Sequence, residues 1–229
     1  MYNSFSQFEK NIGYKFTDIK LLAEALCHKS YINESKDGIK SYERLEFLGD
    51  SILGVIVSNY IFDNYPRFPE GDLTKLRASV VCETALSDVS RKLDAGRYVL
   101  LSKGEDMTGG RDKDAMLCDV FEAVVAAIYL DGGMDSAKAF VLDNLTEVID
   151  SHAADADVIN NYKSSLQEYV QHNGGSVEYR LHSEDGPEHC REYTFGVYVN
   201  GECVAEGSGT SKKKAQQAAA KIAAKKYCK

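Results

Sequence analysis

The chain has 229 residues, 44% of them hydrophobic, and a formal net charge of −8. That length allows one large domain or two smaller ones with ordinary packed cores, and the composition excludes an intrinsically disordered chain. Its six cysteines include no Cys-x-x-Cys pair, so the spacing indicates neither a disulfide framework nor a zinc site.

The amino terminus, Met1 to Gln7, has neither a basic segment nor an apolar signal core. The longest apolar-rich runs, 52–62 and 123–130, fall short of the roughly 20 residues that span a bilayer. A cytoplasmic protein without membrane contact is expected. From Phe5 to about Ile149 apolar residues recur at three- and four-residue intervals, in 19–26, 45–62, 73–93 and 117–130. This predicts an all-α domain over 1–150. Its loops carry Pro66, Pro69 and Gly71, then Gly104 through Gly110, then Gly132-Gly133 after a helix ending at Leu130. A short polar, acidic stretch, 151–160, reads as a linker.

Over 161–229 the period changes. A helix near 164–172 is followed by alternating runs at 177–181, 193–199 and 202–207 and an alanine-rich helix over 211–227, a small α+β domain of order α-β-β-β-α. Asn200-Gly201 between two alternating runs signals a type I′ hairpin. Two helices on one face of the sheet would leave the other face polar. Charge divides the same way: residues 1–159 carry −10 and residues 160–229 carry +2, with seven lysines and no acid after Glu206. An acidic body that collects cations and a basic terminus that grips a polyanion fit this division.

The run Glu43-Arg44-Leu45-Glu46-Phe47-Leu48-Gly49-Asp50-Ser51-Ile52-Leu53 places charge where a core helix should start. At 100° per residue Glu43, Glu46 and Asp50 fall within an arc of about 60°, opposite Leu45, Leu48 and Ile52. Ionised carboxylates in apolar surroundings need a cationic partner or a shifted pKa. Asp119 and Glu122 form a second acidic pair on one face of another apolar helix. Each pair alone reads first as a solvated or salt-bridged helix face. Side by side, the two helices would converge four carboxylates into a hard oxygen site for magnesium, with manganese as a substitute, which can activate water and neutralise a phosphodiester transition state.

The run from Glu43 to Leu53 resembles the signature of the ribonuclease III family. The resemblance extends to Leu22-Ala23-Glu24-Ala25-Leu26-Cys27-His28-Lys29-Ser30-Tyr31, to Pro69-Glu70-Gly71-Asp72-Leu73, to Gly109-Gly110-Arg111, and to Asp119-Val120-Phe121-Glu122-Ala123 with Leu130-Asp131-Gly132-Gly133. It implies Glu46, Asp119 and Glu122 as divalent-metal ligands, Asp50 and Glu122 as catalytic residues, and supporting roles for Glu43 and Glu70. Cys27, Ser102 and Cys118 stand where the family more often has threonine, glycine and alanine; Cys118 is expected as a packed core thiol. The terminal segment resembles a double-stranded-RNA-binding domain through Lys163-Ser164-Ser165-Leu166-Gln167-Glu168, Gly186-Pro187-Glu188-His189, Gly207-Ser208-Gly209 and Ser211-Lys212-Lys213-Lys214-Ala215. It implies duplex contacts from Gln167, Glu168, His189, Lys212, Lys213 and Lys214. A lysine run alone reads as a solubilising face, and His189 alone as an ordinary loop residue. Together the resemblances imply a magnesium-dependent endoribonuclease, homodimeric through its nuclease domain, that leaves 5′-phosphate and 3′-hydroxyl ends with 3′ overhangs on ribosomal-RNA precursors and structured messenger RNAs. The alternative is a non-catalytic double-stranded-RNA-binding regulator.

Overall fold

The computed structural model describes residues 2–35, 38–187 and 191–227, with side chains for all of these except 2–4, 155–161, 164, 165 and 168. The chain divides into two compact units, Met1–His152 and Ala153–Lys229. Helices α1 (Tyr2–Asn11), α2 (Ile19–Ala25), α3 (Lys29–Glu34), α4 (Glu43–Asn64), α5 (Glu70–Val80), α6 (Glu83–Lys92) and α7 (Lys103–Met107) build the first unit with the start of α8 (Asp114–His172). The helical run expected over 73–93 is two helices. The chain turns at Val81 and Cys82, where Cys82 is extended (ψ 157°) and its carbonyl accepts from the Leu86 N–H. The short helices α3 and α7 are closed by side chains: His28 Nδ1 accepts from the Ser30 N–H at 3.2 Å and Ser102 Oγ from the Glu105 N–H at 3.1 Å.

The core is centred on α8, where Val120, Phe121 and every residue from Ala123 to Ile128 are buried, as befits a helix apolar on all sides. α8 breaks at Gly133 (φ 80°, ψ −177°), a conformation essentially confined to glycine, rather than ending at Leu130. Just before the break, Asp131 accepts hydrogen bonds from Tyr14 Oη (2.8 Å), the Thr17 N–H (2.9 Å) and the Asp18 N–H (2.8 Å). The Asp131-Gly132-Gly133 motif thus fastens the entry to α2 onto α8. Arg111 does the same for the segment before α7, its guanidinium donating to the carbonyls of Gly96 (3.0 Å) and Val99 (2.7 Å).

α4 buries Leu45, Gly49, Ile52, Leu53, Ile56, Val57 and Ile61 along one face. At 22 residues it is, by length and composition alone, long enough to cross a bilayer, which corrects the length argument made from the apolar runs. Its burial against the other helices and the acids at its start identify it as a core helix instead. Its remaining face leaves Phe47 (78% exposed), Val55 (51%) and Phe62 (70%) uncovered, three large apolar side chains along one stripe.

The second unit holds the end of α8, strands β1 (Val177–Asp185), β2 (Glu192–Val199) and β3 (Glu202–Gly209), and helix α9 (Lys212–Tyr227). The sheet is antiparallel in the order β1-β2-β3. Asn200 and Gly201 both take positive φ (52° and 87°), as the I′ turn requires. Leu166 and Val170 of α8, Val197, Val199 and Ala205 of the sheet and Ala219, Ala223 and Ala224 of α9 form one core. Backbone of the polar stretch 151–160 is helical and lies within α8.

Candidate active site

The backbones of α4 and α8 touch where the acids meet. A Cβ built on Gly49 would collide with the Glu122 backbone carbonyl, so the bare glycine lets the two helices cross at van der Waals contact. The turn bearing Glu46 and Asp50 and the turn bearing Asp119 and Glu122 share that crossing. Burial, then the charges of Asp50, Glu46 and Asp119, push the Glu122 carboxyl up to about 8. Burial followed by Asp119 and Glu43 raises Glu46 as well. Asp119 is raised by burial, with Glu83 adding to it, while a hydrogen bond from Tyr42 Oη to Oδ2 (3.3 Å), the His28 imidazole and the Lys29 ammonium oppose the rise. The structure therefore brings Glu46, Asp50, Asp119 and Glu122 to one helix crossing, where burial first and neighbouring carboxylates second raise Glu46, Asp119 and Glu122.

The donor set fits a hard divalent cation. Every converging group is a carboxylate oxygen, and a cation between them would offset both the burial and the repulsion that raise Glu122. Glu43 sits at the rim, ion-paired with Lys29 at 3.4 Å and accepting from Ser41 Oγ at 3.1 Å. Glu70 is placed apart, in the first turn of α5, where it accepts from Thr74 Oγ1 (3.1 Å) and lines a cleft with Phe62, Phe68 and Leu73.

Two neighbours escape a reading of the sequence. Tyr42 ends the loop before α4 and reaches 77 residues along the chain to Asp119; an aromatic ahead of an apolar helix otherwise reads as core. Its position is set by the Tyr42 N–H donating to the Cys27 carbonyl (2.9 Å), and Cys27 in turn bridges to Leu100. Cys118 is half-buried rather than a sealed core thiol, with Sγ 3.9 Å from Glu122 Oε1. Burial and the Glu122 and Asp119 charges push that thiol up to about 12, and its soft sulfur does not match the hard oxygen donors around it.

In the second unit Lys212, Lys213 and Lys214 are exposed on the first turn of α9, and Ser211 Oγ accepts from the Lys214 N–H at 3.2 Å. Three ammonium groups at a helix start are the features that favour an anion there. Lys212 Nζ also lies 5.7 Å from the centroid of the Tyr193 ring. Gln167 is exposed on α8. Glu168 lies on the same helix with its side chain outside the described residues, and His189 lies outside them altogether. Lys163 turns inward, donating to Gln216 Oε1 (3.1 Å) and covering the Tyr179 ring at 4.4 Å.

A Ribonuclease-III-like family model matches residues 18–149 and a double-stranded RNA binding motif matches residues 162–227. The chain is 47% identical over 229 residues to Ribonuclease 3 of Bacillus cereus, the match covering 97% of this chain and 91% of the relative. The same figures hold for Ribonuclease 3 of Bacillus anthracis. Among solved structures, a nuclease domain of ribonuclease III from Campylobacter jejuni, described for structural flexibility in a region involved in dimer formation, superposes with a TM-score of 0.58 at 38% identity. That match covers 62% of this chain and 95% of the Campylobacter domain.

Proposed function

Because this chain belongs to the ribonuclease III family and is an endoribonuclease of double-stranded RNA, we propose that it hydrolyses its substrate with magnesium held by Glu46, Asp119 and Glu122. The observation that carries this reading is the Gly49–Glu122 crossing, which brings four carboxylates together where burial and their mutual repulsion disfavour the charged form of Glu122. Bound there, magnesium would supply Lewis acidity toward a phosphodiester oxygen and lower the pKa of water. Glu46, Asp119 and Glu122 would hold it through carboxylate oxygens, and Tyr42 Oη, donating to Asp119 Oδ2 at 3.3 Å, would set that ligand's orientation. Asp50 and Glu122 are assigned as the catalytic pair: Asp50, exposed on α4, would accept the proton of the attacking water at a carboxylate oxygen as the P–O3′ bond breaks, and the departing 3′-oxygen would take a proton from solvent, leaving a 5′-phosphate and a 3′-hydroxyl. Glu43 stays a supporting charge at the rim.

Two copies acting together would cut both strands and leave 3′ overhangs. The uncovered stripe Phe47, Val55 and Phe62 beside the cleft that Glu70 lines supports homodimerisation through the first unit, which would bury apolar surface now in water. The second unit would hold the duplex through Lys212, Lys213 and Lys214 on phosphates and through Gln167, Glu168 and His189 toward the minor grooves. Ribosomal-RNA precursors and structured messenger RNAs in the cytoplasm are the proposed substrates. The test is incubation with a long perfect RNA duplex, with and without magnesium, and mapping of the product ends. Staggered products with 5′-phosphates only when magnesium is present are expected; blunt or 3′-phosphorylated products would refute the mechanism. Double substitution Lys212→Glu with Lys213→Glu should weaken duplex binding and lower the slope of log K against log salt by about 2, one for each lost phosphate contact. A filter-binding titration over several salt concentrations that returns the original slope would exclude these lysines from the clamp.

A further inference from the structure

We propose that the open face of the second unit's sheet carries a zinc site formed by His182, Cys203 and Glu206. One imidazole nitrogen, one sulfur and one carboxylate oxygen lie within 4.8 Å of one another, on three exposed residues. They come from β1 and β3, which flank β2 and do not touch each other.

Two bulges create the cluster. In β1 the register passes from Leu181 opposite Phe195 to Ser183 opposite Thr194, leaving His182 as the extra residue. In β3 it passes from Ala205 opposite Val197 to Cys203 opposite Tyr198, leaving Val204 extra and packed against the core. Cys203 and Glu206 are three apart and would point to opposite faces of a regular strand; the bulge at Val204 turns both to the same face. Between them β2 presents Gly196, opposite Glu206, and a Cβ there would collide with the His182 ring. The ring therefore lies across β2 and brings Nδ1 to 3.1 Å from Glu206 Oε1. On its other side Nε2 is 2.9 Å from Tyr198 Oη.

This arrangement has the parts of a metal site. In the tautomer whose Nε2–H donates to Tyr198 Oη, Nδ1 turns its lone pair toward Glu206, and a cation can take the place of the proton that otherwise joins Nδ1 to the carboxylate at 3.1 Å. Imidazole, thiolate and carboxylate together select a borderline ion such as zinc over magnesium, with water as the fourth ligand of a tetrahedron. Zinc so held would clasp the outer strands across the middle one. The donor set differs in kind from the all-carboxylate group of the first unit, so the two sites take different ions.

The experiment uses the full chain in saturating magnesium, with cobalt(II) as the spectroscopic stand-in for zinc. The expected result is one equivalent of cobalt with tetrahedral ligand-field bands and a thiolate-to-cobalt charge-transfer band, both removed by zinc, and a thermal midpoint that rises with zinc. Cys203→Ser and His182→Gln should each abolish the charge-transfer band or shift the ligand field and remove the zinc-dependent rise in midpoint, while Cys82→Ser retains both. Circular dichroism and unchanged magnesium-dependent duplex cleavage show that the variants are folded. A wild-type chain that gives no charge-transfer band overturns the proposal without recourse to any variant, and a band that survives Cys203→Ser overturns it equally.

Discussion

Glu122→Gln is expected to abolish magnesium-dependent cleavage of duplex RNA while leaving duplex binding intact in calcium or EDTA. Losing a ligand that fixes the metal forfeits several kcal/mol of transition-state stabilisation, and at ~1.36 kcal/mol per factor of ten this is a rate loss of about 10³-fold or more. The same substitution has an opposite effect on stability. In the metal-free protein the Glu122 carboxyl titrates near 8, against an ordinary 4.5, because burial and the Asp50, Glu46 and Asp119 charges disfavour its ionised form. A carboxyl that holds its proton more tightly when folded contributes stability below its ordinary pKa. That contribution is lost progressively as pH rises from about 4.5 to about 8. Glutamine resembles the protonated acid and has nothing to lose, so at alkaline pH without metal the variant should melt above the wild type. Thermal midpoints measured in EDTA across this range read the effect directly. Retained cleavage would refute the assignment of Glu122, and a wild-type midpoint that falls no faster than the variant's would refute the electrostatic account of the cluster.

Gly49→Ala should destabilise the first unit and weaken magnesium binding together. Alanine favours a helix over glycine by about 1 kcal/mol, so an unconstrained position would gain stability. Here the added Cβ meets the Glu122 backbone carbonyl, which belongs to a buried helix and cannot swing aside as a side chain would. Overpacking of this kind costs about 1–3 kcal/mol, enough to reverse the sign. Forcing α4 and α8 apart also moves Glu46 and Asp50 away from Asp119 and Glu122, so the magnesium concentration for half-maximal cleavage should rise. Urea unfolding and a magnesium titration of cleavage check the two effects; an unchanged midpoint with unchanged magnesium dependence would mean that the crossing tolerates separation.

Much of this was legible along the chain. The all-helical first unit, the α-β-β-β-α order of the second, the Asn200-Gly201 turn and the acidic turns of α4 and α8 all follow from local rules: apolar periodicity, turn chemistry and the cost of charge on an apolar helix. Elements set by contacts far apart were read less well. The break at Val81 and Cys82 interrupts an apolar period that continues across it. The membrane argument failed for α4 because a core helix and a membrane span have the same length and composition, and only burial distinguishes them.

By itself the sequence determined which residue types were available and on which helix faces they lay, since those depend on a few neighbouring residues and a fixed period. Only the tertiary structure decided that Gly49 and Glu122 touch, that Tyr42 holds Asp119, that Asp131 fastens the entry to α2, and that two bulges turn His182, Cys203 and Glu206 to one face of a sheet. Each of these depends on a close approach between segments distant in the chain or on an irregularity that resets the alternation of a strand, and neither leaves a periodic trace in the order of the residues.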